Sequence, residues 1–383
     1  MAADPVSQFL TCLRKSQLLE DDSVRAVLSK SSAKAVADLA KEFADSELLT
    51  AFQLEKLRAN TWQGLKLGPY SLLYPIGRGG VGIVYLCRND RLAAGRAVPR
   101  LSALKLLSPK KAVAEPRTRE RFLREQQIGP LIPEHPNLAR TIDTGEHQAV
   151  LYLVMEYVPG MTAKAWVRTN GPMPVGLATR LFADVSLGLH AAHEAGFVHR
   201  DTKPSNVVVL GHGRAKLLDF GFALKRGETP HADPKILGGR GYTLGTMDYL
   251  PPEQATNAVA VGAETDIYSV GCSLYYVLTG LLPFPGGSPQ EKMRRHQREI
   301  PETVEKFNKA VPRELSQLIG WLMCKRPEDR PQSATQVAKE LERWASPIVP
   351  IGEIRSYDEA WEKHTLDQVH QSWLAHHTAK PRP

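Results

Sequence analysis

The chain has 383 residues, 42% of them apolar, and a formal net charge of +8. That length accommodates two or three compact units, and that apolar content supports a buried core, which excludes a disordered or fibrous chain. The basic residues are interspersed with acidic ones, the pattern of a solvated basic surface and not of a nucleic-acid footprint. Cys12, Cys87, Cys272 and Cys324 form no CxxC pair, which predicts reduced thiols, a cytoplasmic location and no structural metal site. The N-terminus has Asp4 and lacks the basic-then-apolar order of a signal peptide.

Residues 1–67 read as a separate helical unit. Asp4-Pro5 is a helix start. Phe9, Leu10 and Leu13, then Val24, Val27 and Leu28, recur at helical spacing. Thr50 and Gln53 fit a capping box ahead of Leu54 and Leu57. The prediction is three or four short helices with no catalytic cluster. They act either as a packing cap or as a docking or regulatory module, and the residues do not choose.

Tyr70–Ile76 and Ile83–Cys87 read as strands on either side of Gly77-Arg78-Gly79-Gly80-Val81-Gly82. The glycines allow positive φ and close approach to phosphates. A dinucleotide site would need a helix after them, and here a strand follows. Roughly residues 88–100 look like a surface insertion. The strand-like run Leu101–Leu107 then carries Ala103-Leu104-Lys105, and a lysine on a buried strand calls for a partner. Arg119–Ile128 is helical in composition and is cut short by Pro130 and Pro133. Val150–Gly160 reads as another buried strand.

The stretch from His199 to Gly221 holds the chemistry. It runs His199-Arg200-Asp201-Thr202-Lys203-Pro204-Ser205-Asn206, two short apolar runs around the turn Gly211–Arg214, then Asp219-Phe220-Gly221. Two such runs around a glycine-bearing turn predict a β-hairpin. Pairing Leu210 with Ala215 brings Asn206 beside Asp219. An amide oxygen and a carboxylate are hard ligands suited to Mg²⁺. With Asp201 and Lys203 on the entering loop, a base, an ammonium and two metal ligands converge, as phosphoryl transfer requires.

These residues resemble the HRD-x-K-x-x-N and DFG loops of protein kinases, and the chain is similar to bacterial eukaryotic-like serine/threonine kinases. The resemblance covers Tyr70 to about Trp344. It implies an α+β, two-lobed fold: a small antiparallel β lobe and a large, mainly helical lobe, preceded by the helical unit. In this reading residues 70–345 are the kinase domain and 346–383 a basic, flexible tail. ATP and Mg²⁺ are the implied cofactors, and protein serines and threonines the acceptors.

By that resemblance, Asp201 accepts the hydroxyl proton and Lys203, a mark of the serine/threonine class, reaches the γ-phosphate. Asn206 and Asp219 hold Mg²⁺. Ile76, Gly77, Arg78, Gly79, Gly80, Val81, Gly82, Ile83 and Val84 cover the nucleotide. Lys105 pairs the α- and β-phosphates, with Glu125 as its partner and Glu120 as the alternative. Met155 backs the adenine pocket, Glu156 and Val158 bond the adenine edge, and Ala103 and Val208 line the pocket. The sequence departs from the family at Thr202, at Pro251 in the APE-like segment, and at Gly129. At Gly129 the family has an apolar residue behind the DFG phenylalanine, so the resemblance implies a weakly braced helix.

Glu253 and Arg330 are the implied structural ion pair, and Asp266 the anchor of the catalytic loop. Arg200 is available for a phosphate on the loop from Asp219 to Glu253. Thr243 is the favoured acceptor, then Thr229, while the hydroxyl of Thr246 is needed free. Self-association would serve autophosphorylation. The uncharged run from Ile267 to Phe284 is nearly long enough for a bilayer, but its Gly, Ser and Pro content and its place suit a central buried helix, so no transmembrane segment is predicted. Two rivals remain: a pseudokinase that only binds partners, and a small-molecule phosphotransferase of related fold.

Overall fold

The computed structural model describes residues 4–79, 81–90, 101–228, 247–256, 262–346 and 366–378. They form two compact units. The first takes in the chain up to Ala114, Ile142–Tyr157 and the C-terminal segment through Leu374. The second takes in Glu115–Thr141, Val158–Ile354 and the residues from Ala375.

The first unit opens with four helices, α1 (Pro5–Ser16), α2 (Asp21–Leu28), α3 (Val36–Asp45) and α4 (Ala51–Arg58). The side chain of Asp4 accepts the Ser7 N–H at 3.2 Å, capping α1 ahead of Pro5. Thr50 and Gln53 close the capping box: Gln53 Oε1 accepts the Thr50 N–H at 2.9 Å and Thr50 Oγ1 accepts the Gln53 N–H at 3.3 Å. Phe9, Leu13, Leu39, Phe43 and Leu57 form the helices' own core.

The same two capping residues tie α4 to the sheet. Thr50 donates its hydroxyl to Leu73 O at 2.9 Å, and Gln53 donates its amide to Leu72 O at 2.8 Å. The sheet has strands β1 (Lys66–Leu67), β2 (Tyr70–Arg78), β3 (Gly82–Asn89), β4 (Leu101–Leu107), β5 (Thr141–His147) and β6 (Val150–Glu156), in the order β1-β2-β3-β4-β6-β5. The pairings from β1 through β4 to β6 are antiparallel. One face buries Tyr70, Leu72, Cys87, Leu104, Tyr152 and Val154. A short helix, α5 (Pro109–Ala114), follows β4.

The segment read as a solvated tail contains a packed helix, Leu366–Thr378. Val369 is buried in a cluster with Leu73, Tyr74, Leu86 and Leu101. The His370 ring stacks on Tyr74 at a centroid distance of 4.1 Å, and burial pushes its pKa down to about 4. Asp367 Oδ1 accepts the Ala51 N–H at 3.2 Å. An amphipathic helix gains stability by packing, which tail composition does not reveal.

The second unit is mainly helical: α6 (Pro116–Ile128), α7 (Ala163–Asn170), α8 (Val175–Glu194), α9 (Pro252–Thr256), α10 (Ala263–Thr279), α11 (Pro289–Arg298), α12 (Val304–Phe307), α13 (Arg313–Leu322) and α14 (Ala334–Leu341). Its small strands are β7 (Gly160–Thr162), β8 (Phe197–Val198), β9 (Val207–Leu210), β10 (Ala215–Leu217) and β11 (Leu224–Lys225). The uncharged run supplies all of α10 after Asp266, and the helix is buried nearly all round by a core that includes Leu181, Val185, Leu189, Leu315 and Ile319. It stops where Gly280 turns left-handed at φ 74°. Among the described residues no helix is long and apolar enough to cross a membrane.

The hairpin forms, but one residue out of the predicted register. Ala215 faces Val209, not Leu210, and Leu217 faces Val207. Leu210 N–H donates to Arg214 O at 2.9 Å, which closes a three-residue loop with Gly213 at φ 75°. Three-residue loops ending in a left-handed glycine shift the pairing by one relative to the four-residue turn assumed from sequence.

Candidate active site

In the first unit the glycine-bearing turn joins β2 to β3. Gly79 N–H donates to Gly82 O at 2.9 Å. A Cβ on Gly82 would lie 1.7 Å from Leu106 O, so only glycine fits there. Gly80 lies outside the described residues. Val84 pairs with Lys105 and Lys105 with Leu153, while Ala103 pairs with Met155. Side chains two apart share a face, so Val84, Ala103, Lys105 and Met155 lie together on the face opposite the Tyr70–Cys87–Tyr152 cluster. Lys105 is buried, Ile76 and Ile83 flank the turn, and Glu156 ends β6.

The second unit fixes the loop His199–Asn206 from both of its sides. Asp266 on α10 is fully buried, and its carboxylate accepts the N–H groups of His199 and Arg200, both at 2.8 Å. Its Oδ2 also lies 2.8 Å from His193 Nε2 on α8. These bonds hold Arg200 at φ 66°, a left-handed conformation that a non-glycine residue keeps only when its surroundings enforce it. Arg200 is buried, and its Nε has no hydrogen-bond partner among the described residues.

Asp201 is 5% exposed. Lys203 Nζ reaches both its carboxylate oxygens, at 2.8 and 2.7 Å, and Asn206 Nδ2 donates to its backbone oxygen at 2.9 Å and to Oδ2 at 3.1 Å. Burial pushes the Asp201 pKa up; Lys203 opposes this and nearby Asp219 adds to it, with the net shift upward. Because the Asn206 NH₂ is committed to Asp201, its amide oxygen is the end that remains for a cation.

Asp219 follows the hairpin at φ 66°, and its Oδ1 accepts the Gly221 N–H at 3.1 Å. Phe220 is buried and meets the His199 ring edge-on at 4.7 Å. His199 Nδ1 accepts the Asp201 N–H at 3.2 Å, which leaves Nε2–H to donate to Leu218 O at 3.0 Å. One imidazole thereby joins the catalytic loop to the residue before Asp219. Asn206 and Asp219 offer two hard oxygens, a donor set that fits Mg²⁺ with phosphate and water completing its shell.

Helix α6 brings Glu125 to the same loop. Glu125 is 2% exposed, and its Oε2 lies 3.0 Å from where a Cβ on Gly221 would stand. Glu120 is exposed. The helix ends at Ile128, as Pro130 and Pro133 predicted. A Cβ on Gly129 would lie 2.4 Å from Thr141 Oγ1, so there is no room for the apolar side chain the family places there. Ile128, one residue earlier, is buried in the cluster that contains Phe220.

The Glu253–Arg330 pair forms with both guanidinium nitrogens 2.8 Å from the carboxylate oxygens. The Arg330 side chain is fully buried, donates to Cys324 O and Glu264 O, and lies over the Tyr268 ring at 4.8 Å. Val158 precedes β7 and Val208 lies on β9, both in the second unit. Thr229, Thr243 and Thr246 lie outside the described residues. Sequence reasoning missed His193, and it missed Asp184, which grips Arg214 at 2.7 and 2.8 Å and the Ala215 N–H at 3.0 Å. Neither stands in a motif; both are residues of α8 that matter through partners more than 30 positions away or close to it.

A glycine-turned antiparallel sheet with a buried strand lysine, and a helical unit whose hairpin and entering loop hold Asp201, Lys203, Asn206 and Asp219, are the two parts of a protein-kinase fold. The protein kinase domain family model matches residues 70–341, and the chain belongs to the protein kinase family. It is 35% identical over 278 residues to serine/threonine-protein kinase PknB of Mycobacterium leprae, covering 72% of this chain and 42% of that protein. It is 38% identical over 279 residues to serine/threonine-protein kinase pkn2 of Myxococcus xanthus, covering 72% and 32%. The chain thus matches less than half the length of these relatives. Among solved structures, the PknI kinase domain of Mycobacterium tuberculosis superposes with a TM-score of 0.53 at 25% identity, covering 74% of this chain and 98% of that one.

Proposed function

We propose that this chain transfers the γ-phosphate of ATP to serine and threonine hydroxyls of proteins. The observation that carries the reading is the buried Asp201 carboxylate, held through both oxygens by Lys203 and oriented by Asn206. Burial shifts its pKa upward, the direction that suits a proton acceptor. The acceptor hydroxyl gives its proton to Asp201 as its oxygen bonds the γ-phosphorus, and ADP leaves. Lys203 meets the charge on the transferring oxygens. Mg²⁺ held by Asn206 and Asp219 would neutralise phosphate charge.

In this reading Val84, Ala103, Met155, the turn from Ile76 to Val84, and Val208 are the nucleotide-binding residues. Glu156 and Val158 bond the adenine edge. Lys105 binds the α- and β-phosphates with Glu125 as its ion-pair partner, favoured over Glu120 by burial. Arg200, buried with an Nε that has no partner among the described residues, supports a role in receiving a phosphate on the loop after Asp219. Thr243 is the first candidate for that phosphate, ahead of Thr229 and Thr246, with transfer between two copies of the chain. The location is cytoplasmic.

Radiolabelled ATP, Mg²⁺ and a generic basic protein test the assignment, with Asp201→Asn as control. Label should enter protein serine and threonine and fall about 10²–10⁴-fold in the variant, with ATP affinity nearly unchanged. A wild type that binds nucleotide and transfers nothing would make this a pseudokinase. Label entering only small molecules would make it a small-molecule phosphotransferase.

A further inference from the structure

Helix α6 makes a second connection to the segment after Asp219, and no motif announces it. Arg124 Nη1 lies 2.9 Å from Glu228 Oε1 and Nη2 lies 2.5 Å from Oε2, a two-pronged pair spanning 104 residues. Arg124 Nε donates to Ala223 O at 3.3 Å. Glu228 Oε2 also accepts the Lys225 N–H at 3.2 Å, so the carboxylate stiffens its own turn. One turn away on the helix, the Arg121 guanidinium lies 4.5 Å from the centre of the Phe222 ring. The next residue after Arg124 is Glu125, buried against Gly221.

We infer that Arg124 and Glu228 are a positioning pair for phosphoryl transfer: they clamp residues 222–228 onto α6 and so fix Glu125 beside the Asp219-Phe220-Gly221 loop. The inference rests on the kinase reading above. The side chains of Arg124 and Glu228 are 29% and 39% exposed. Water and salt screen such a pair, so its contribution to global stability is small. Its two parallel hydrogen bonds nevertheless fix direction as well as distance. The consequence falls on the geometry of the site. The clamp is made by a carboxylate already present in the chain, so the first part of the loop is docked without a phosphate.

The test is a cycle of Arg124→Gln, Glu228→Gln and the double variant, assayed at saturating ATP with thermal unfolding alongside. Each single change should lower kcat by about 5- to 20-fold, and the double variant should be no worse than the poorer single one, as coupled neighbours behave. The unfolding midpoint should move by no more than about 2–4 °C. Singles that keep more than half of wild-type kcat, or losses that multiply in the double variant, would overturn the clamp. Hydrogen–deuterium exchange over residues 222–228 gives a readout independent of activity. It should quicken in Arg124→Gln, and unchanged exchange would count against the pair. A wild type without transfer activity would sink the kinase reading instead, and the exchange comparison would still decide the clamp.

Discussion

Asp266 Oδ2 on α10 lies 2.8 Å from His193 Nε2 on α8, and the same carboxylate carries the backbone N–H groups of His199 and Arg200. Burial alone would raise the Asp266 pKa. The hydrogen bond and charge interactions with His193 and His199 outweigh it, and the net shift is downward. A carboxylate whose folded pKa lies below its unfolded value of about 3.9 stabilises the fold fully above that value. That contribution is lost as pH falls through the lower, folded pKa. Asp266→Asn should therefore cost about 3–5 kcal/mol in urea unfolding at pH 7, as broken buried pairs do. The deficit should shrink in strong acid, where wild-type Asp266 is itself protonated. An equal deficit at both pH values would show that charge is not what Asp266 contributes.

The Lys203 ammonium holds the Asp201 pKa below the level that burial and Asp219 would otherwise set. Lys203→Met removes that restraint. The rate should fall, and the acidic limb of kcat/KM against pH should move to higher pH, because Asp201 then keeps its proton longer. A limb that stays in place while the rate drops would mean that Lys203 acts only on the phosphate.

Lys105 sits on β4 opposite Val84 and is buried at the centre of its strand. Methionine has a similar reach and no charge, so Lys105→Met should leave the sheet folded by circular dichroism and thermal unfolding. Transfer should be lost through misplaced phosphates. Phosphorylation at the wild-type rate would show that this strand lysine does not meet the nucleotide.

Arg330→Ala leaves Glu253 without its two-pronged partner and opens a hole beside Tyr268. A loss of about 3–5 kcal/mol is expected in urea unfolding. Arg330→Lys keeps the charge but not the fork, and it should recover only part of that loss. Full stability in Arg330→Ala, with activity alone reduced, would move the pair from structure to chemistry.

Much of the site is legible in the chain because its chemistry is local. His199 to Asn206 is one loop, and Asp219 is brought back by one hairpin, so spacing brings Asp201, Lys203, Asn206 and Asp219 into one neighbourhood even though the register is off by one. The start of α1 and the capping box of α4 are legible for the same reason, since a cap spans three residues. Gly82 is legible as a glycine, but only the 1.7 Å approach of Leu106 O explains why nothing else fits.

Tertiary structure decided what depends on residues far apart. The hairpin register follows from a left-handed Gly213, a backbone choice between two turns that the same letters allow. Asp184 and His193 are unremarkable letters on an apolar helix until Arg214 and Asp266 arrive beside them. Arg124 is one of four arginines between 117 and 124, and composition cannot say which of them faces Glu228. The C-terminal histidines read as solvated because helix burial is set by a partner surface, and for His370 that surface is Tyr74, nearly 300 positions earlier. Local sequence specifies which groups can do chemistry, whereas burial and orientation belong to the packed chain, where free energy depends on neighbours that sequence distance does not encode.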